Sequence, residues 1–510
     1  MKKLIFALSA VLLLQLGPAT QLATTNAQSN SDTASSSIPK PTQSVTHHTV
    51  TIDGEEIDYT ATTGTMILEN DQGEPVASFG YTAYSKDGVE DKSSRPLTFS
   101  YNGGPGSSSV WLHMGVMGPK RVVVNDPSTT PPAPYELTEN QYSMLDATDV
   151  VMVDPVGTGV SRAIGEAEGS DFWGVDQDIR SVSNFIQSYI SANDRWNSPK
   201  YLLGESYGTT RSAGIASYLQ GQGIALNGVV LVSTVLDLRT IAFGDADNVP
   251  YVSYLPTYAA VAWYHDQLDD KPESLEGFVE DAREFARGPY ASALMQGDEL
   301  SDSRRQQIID QLARFTGLSN DYLDKANMRV TQSEFTKQLL RDEGQTVGRL
   351  DSRYTGYSLD DLSQTAIYDP QSSAISPAYT TMFMKYYENE LEASTDTQYN
   401  ISAYSLPGFE WDWQRGGSYF PTSPTTAPDL AEAMTKNPNL EVLVLNGYYD
   451  LATPFMGAEY TMDHLGIPAE LQNNITEKYY KAGHMMYIHE PSLEKFHDDV
   501  EGFIERTDRN

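Results

Sequence analysis

The chain reads as an α/β fold on a mainly parallel sheet flanked by helices, with a helical insertion before its last strands. Three observations give that class. Short apolar runs of strand length recur and end at turns: "RPLTFSYNGGPGSSS", "DVVMVDPVGTG", "KYLLGESYG", "LNGVVLVST" and "NLEVLVLNGYYD". Continuous runs of this kind fit strands covered on both faces, as in parallel sheets. Helical patterns separate them, the clearest at Val175–Ala192, and alternation of strand with helix marks an α/β layer architecture. From about residue 250 to about residue 400 the strand signal fades and helical patterns follow one another.

At the N-terminus, Lys2 and Lys3 precede an apolar run over residues 4–16 and small residues up to Ala27. The run is too short to remain as a bilayer span. The pattern predicts a secretory signal peptide over residues 1–27, cleaved near Ala27, and therefore a periplasmic or secreted protein. Residues 28–46 are rich in Ser, Thr and Pro, which predicts a flexible linker. Four strand-like runs follow, "HTVTI", "EIDYTATTG", "TMILEN" and "PVASFGYTAY", read as antiparallel strands at the sheet edge. They open a first core segment over residues 47–249. The helical cap insertion spans 250–400 and a second core segment spans 401–510. Strand patterns resume after the helices, so an insertion over the sheet's carboxyl edge is expected rather than a separate domain.

The chain has 510 residues, with 34 Lys and Arg against 69 Asp and Glu, a formal charge of −35. No basic patch is evident, so no nucleic-acid partner is expected. The excess acid is expected to form a solvated surface. Cysteine is absent, so no disulfide supports an exported chain and stability must come from a core, which this length can supply. His47 and His48 stand side by side in a linker-like region, and no zinc motif occurs. No metal and no cofactor are expected.

"GESYG" sets Ser206 between Gly204 and Gly208. A strand end precedes it and a helical pattern follows from Thr209. Strand, tight turn and helix are what a nucleophile elbow requires, because the glycines permit a strained turn and the helix N-terminus offers N–H groups to an oxyanion. A serine needs a base and the base an orienting acid. Asp450 ends "LEVLVLNGYYD" and His484 sits in "KYYKAGHMMY". The order Ser206, Asp450, His484 is that of α/β-hydrolases. His464, His489 and His497 are rival bases, but they fall in helix-like stretches. "YNGGPGSSS", one strand earlier, offers the glycine-rich loop for a second oxyanion donor.

At these residues the chain resembles the serine carboxypeptidase family. The matching motifs are "NGGPGSSS", "VDPVGTGVS", "GESYG", "NGYYDLATP" and "AGHMMY". The resemblance implies a triad of Ser206, Asp450 and His484, and an oxyanion hole from the backbone N–H groups of Gly104 and Tyr207. It implies that Asn102, the Gly103 backbone and Glu205 hold the substrate's terminal carboxylate, so that peptide or protein C-termini are the substrate. In the family the glutamate beside the serine is protonated at acidic pH and donates to that carboxylate, which a desolvated carboxyl is able to do. Two departures stand out. Ser107 replaces a cysteine common after "NGGPG", and Val116 falls where relatives often carry a second glutamate. The expectation is an exported serine carboxypeptidase. The alternatives are an esterase, amidase or acyltransferase with the same triad, or a catalytically silent binding protein on this fold.

Overall fold

The computed structural model describes residues 38–244, 247–416 and 423–508. The expected signal peptide and residues 28–37 of the expected linker lie outside the described residues. The apolar runs pair into one ten-stranded sheet. Its strands are β1 (Gln43–Ile52), β2 (Glu55–Glu69), β3 (Pro75–Lys86), β4 (Leu97–Tyr101), β5 (Asp149–Asp154), β6 (Arg162–Ala163), β7 (Lys200–Glu205), β8 (Gly228–Val232), β9 (Glu441–Gly447) and β10 (Ile475–Tyr480). The order is β1-β2-β3-β5-β4-β7-β8-β9-β10, with β6 beside β3. From β5 to β10 every neighbour is parallel, whereas β1, β2 and β3 are antiparallel.

The parallel strands are apolar throughout because each face meets its own core. In β8, Val230 and Val232 join one cluster while Val229 and Leu231 join the other; in β9, Leu443 and Leu445 alternate with Val442 and Val444 in the same way. Period-two alternation between two buried faces is what an unbroken apolar run becomes in such a sheet. The helix Val175–Ala192 covers one face with Val175, Ile179, Val182, Ile186 and Ile190, a spacing that keeps these side chains on one stripe. Asp176 and Asp178 occupy its first turn, where a negative charge complements the helix dipole.

Three readings of the edge and insertion change. The runs 56–64 and 65–70 form one strand, β2, not two, and it ends at Glu69, because β3 pairs with it across the join from Tyr59 to Glu69. Residues 43–46 of the stretch read as linker belong to β1, as do His47 and His48, and all pair with β2. The helical segment also holds a small hairpin, Gln345–Val347 with Thr355–Tyr357. Its helices build a third core, which includes Tyr254, Phe278, Leu312 and Phe335 together with Tyr448, Tyr449, Leu451 and Phe455 from the chain after β9. The described residues form one compact unit. Among the described residues, no helix is long and apolar enough to cross a membrane.

Candidate active site

Asn102, Ser206, Asp450 and His484 all follow carboxyl ends of parallel strands. The chain leaves β4 toward β5 on one side, while β7 lies on the other, so the loops diverge there and leave a crevice. Register brings the walls together: Tyr101 pairs with Gly204 and Val232 with Glu205.

Ser206 has φ 61° and ψ −129°, a strained conformation for a residue with a Cβ. It is locked by Ser206 N donating to Val232 O at 2.9 Å and Thr209 N to Ser206 O at 2.8 Å. The helix starts at Tyr207, two residues earlier than the sequence pattern suggests. Glycines make the turn possible. A Cβ on Gly204 would run into Gly208 O, and one on Gly103 into the Tyr207 and Gly208 amides. The glycine-rich loop therefore lies directly against the serine turn. The N–H groups of Gly104 and Tyr207 have no backbone or side-chain acceptor among the described residues, as donors reserved for an oxyanion require.

A buried ion pair fastens this region. Arg211 Nε donates to Asp178 Oδ2 at 2.7 Å, and both side chains are essentially inaccessible. Arg211 Nη1 reaches Asn102 O at 2.8 Å and Tyr207 OH reaches Asp178 Oδ2 at 3.3 Å. The "VDPVGTGVS" motif acts as a strap. Asp154 Oδ1 accepts from Ser109 N and Oγ, both at 2.8 Å, and its Oδ2 accepts from Tyr399 OH at 2.8 Å. Gly159 is needed because a Cβ would overlap Asp154.

His484 Nδ1 lies 2.8 Å from Asp450 Oδ2. Asp450 also accepts from Ala452 N at 2.8 Å, Thr453 N at 3.0 Å and Thr453 Oγ at 2.6 Å. With the proton on Nδ1 directed at the carboxylate, Nε2 is the basic nitrogen. Burial works to lower the His484 pKa, but the Asp450 charge and hydrogen bond, joined by Glu205, outweigh it and the net shift is upward. Ser206 and His484 line the same cleft, yet the serine hydroxyl makes no hydrogen bond to the imidazole. Such contacts often tighten only with substrate. The rival histidines are elsewhere engaged: His497 with Asp146, His489 with Ser492 and His464 with Tyr460 O.

Glu205 is 4% exposed. Asn102 Nδ2 donates to its Oε1 at 2.8 Å and Tyr487 OH to its Oε2 at 2.6 Å. Leu112 N donates to Asn102 Oδ1 at 3.0 Å and fixes that amide. Burial raises the Glu205 pKa above the usual carboxyl range, against the lowering effects of His484 and the two donors. Val116 is buried in a core cluster, and the second partner of Glu205 is a phenol that sequence reasoning missed. The neighbouring Gly115 admits it, since a Cβ there would strike the Tyr487 ring. The only hint in the sequence was Tyr487 three residues after His484.

These walls enclose about 190 Å³, lined by Asn102, Gly103, Gly104, Glu205, Ser206 and His484 among others. A cleft of about 850 Å³ lies between residues 69–76 and 165–184 and holds none of these groups. Chemistry, not size, singles out the smaller one.

A strained serine at a strand-to-helix turn, followed in the chain by a buried aspartate and a histidine after later parallel strands, places the protein among the α/β-hydrolases. Residues 67–506 match the family model of the serine carboxypeptidases, Peptidase_S10. The chain belongs to that family. It is 27% identical over 192 residues to serine carboxypeptidase-like 33 of Arabidopsis thaliana. That match covers 36% of this chain and 36% of that protein, so it spans about a third of the curated relative's length. The solved structure of Kex1(delta)p, a prohormone-processing carboxypeptidase from Saccharomyces cerevisiae, aligns with a TM-score of 0.54 at 16% identity, covering 88% of this chain and 91% of that one. At that identity the likeness is one of fold.

Proposed function

We propose that the protein is an exported serine-type carboxypeptidase that cleaves C-terminal peptide bonds through an acyl-enzyme, favouring mildly acidic pH. The observation that carries this reading is Glu205: a buried carboxyl with a raised pKa, beside the strained serine and bonded to Asn102. A carboxyl kept neutral in that place suits a substrate that carries its own carboxylate.

The peptide's terminal carboxylate sits against Asn102, the Gly103 backbone and protonated Glu205, which donates to it. Ser206 Oγ attacks the last peptide carbonyl as His484 Nε2 takes its proton, and Asp450 stabilises the imidazolium. The Gly104 and Tyr207 amides hold the oxyanion. Collapse breaks the C–N bond, and His484 passes the proton to the departing amino acid. Water then attacks the ester with His484 again as base, releasing the shortened peptide. Tyr487 holds Glu205 in place of a second acid. Unlike a carboxyl, the phenol keeps its proton, since burial pushes its pKa well above the usual value.

The test is kcat/KM for a peptide acid and its C-terminal amide, with fluorophosphonate labelling of Ser206 as control. Strong preference for the acid supports the reading. Equal cleavage of both points to an esterase or amidase, and absence of labelling to a silent binding protein. Export is supported by the pattern at residues 2–27. Mass spectrometry of the native protein is expected to show an N-terminus near Gln28.

A further inference from the structure

The cleft has a second polar wall that the chemistry above does not use, made by Arg349, Ser372 and Ser376. The backbone under Arg349 is firmly held. Arg349 N and Leu350 N donate to Asp369 Oδ2 at 2.6 and 3.1 Å. Leu451 N donates to Arg349 O at 3.0 Å, and His484 N to Leu350 O at 2.6 Å. Arg349 is thereby tied to the loops of both Asp450 and His484.

Its side chain is exposed yet lines the cleft, which places it at the mouth. No described carboxylate lies within ion-pair distance of its guanidinium. Its charge is therefore free to meet an anion from outside the chain. Other arginines of the site region are paired, Arg211 with Asp178 and Arg353 with Asp351 and Asp126. Ser372 and Ser376 stand one turn apart on the helix Pro370–Asn389, their hydroxyls 3.4 Å from each other, and both line the same cleft. A guanidinium with two hydroxyl donors suits a carboxylate. The terminal carboxylate already has partners in Asn102 and Glu205, so the anion taken here belongs to a side chain.

We propose that Arg349, Ser372 and Ser376 form an anion-binding subsite that selects peptides with Asp or Glu at a residue flanking the scissile bond. The inference rests on the carboxypeptidase reading. The experiment compares kcat/KM for matched peptide acids bearing Asp or Glu against Asn or Gln, at each of the last two positions. In wild type the acidic peptide is favoured about tenfold or more at one of them, the scale of a hydrogen bond to a charged group. Arg349→Gln collapses that ratio toward one, Arg349→Glu inverts it in favour of Asn or Gln, and Ser372→Ala lowers it severalfold.

Cleavage of neutral peptides with no acidic preference overturns the subsite and leaves the carboxypeptidase reading standing. An unchanged ratio in Arg349→Gln overturns it as well. If Arg349→Gln instead erases discrimination between peptide acid and amide, Arg349 holds the terminal carboxylate and the side-chain subsite is wrong. Failure of wild type to cleave any peptide acid removes the carboxypeptidase reading and the subsite together.

Discussion

Asp450 and Glu205 are two buried carboxylates of one site, the first behind His484 and the second in the cleft wall, and they are held in opposite ways. Asp450 takes three of its four hydrogen bonds from its own loop, through Ala452 N, Thr453 N and Thr453 Oγ. An aspartate capping amides two and three residues on is a local turn that the sequence can write by itself. Its fourth bond is to the group it orients, His484. Glu205 has two partners, 103 and 282 residues away along the chain, and none in its own turn. Asp450 is thus held mainly by donors of its own loop. Glu205 has its pKa raised by burial, against the lowering effects of His484 and its two donors. On the reading proposed above, one residue steadies a histidine and the other reads a substrate.

The largest effect that tests this division is at the triad. Ser206→Ala and His484→Ala are each expected to lower kcat by about 10⁴ to 10⁶, with little added by the double variant, because the residues act as a unit. Asp450→Asn should lower kcat by about 10⁴ through the wrong histidine tautomer. Near-full turnover in Ser206→Ala would end the mechanism.

Next in size is the foundation under the Glu205 side of the cleft. Asp178→Ala leaves the Arg211 charge buried without a partner and is expected to destabilise the protein by about 3–5 kcal/mol in denaturant unfolding. A change in midpoint too small to resolve would show that the pair does not anchor the loops.

Glu205→Gln keeps a donor and removes the titration. Wild-type affinity for a peptide acid should fall as pH rises through the raised Glu205 pKa, since the ionised carboxylate repels the substrate's. As pH falls, His484 protonates and activity is lost; ionised Glu205 supplies part of the upward shift of His484, so that shift shrinks where Glu205 is protonated. The two groups interact, so the limbs of the bell belong to the pair. In Glu205→Gln the alkaline fall in binding should flatten, while a peptide amide should show no such limb in either protein. A shared profile for acid and amide in wild type would refute the sensor role.

The smallest effect concerns Tyr487. Tyr487→Phe removes a donor to the Glu205 carboxylate and so raises the Glu205 pKa further. The alkaline limb for peptide acids should move to higher pH, with a severalfold loss at the optimum. Movement to lower pH, or an equal loss for the amide, would assign Tyr487 to packing alone.

The sequence alone determined the features that are local or periodic. Strands buried on both faces show as apolar runs, the helix Val175–Ala192 shows in its spacing, and the serine turn shows as Gly204, Ser206 and Gly208. Asp450 and His484 were legible because each follows a strand. The sequence could not show that residues 56–69 form a single strand, since only pairing with β1 and β3 makes Gly64 an interior residue. It could not show that Tyr487 serves Glu205 while Val116 turns into the core, or that Arg349 stands over the cleft. Those contacts join residues hundreds of positions apart, and no local propensity or spacing encodes them. They exist only once the parallel strands bring their carboxyl ends to one edge and the inserted segment folds back over it.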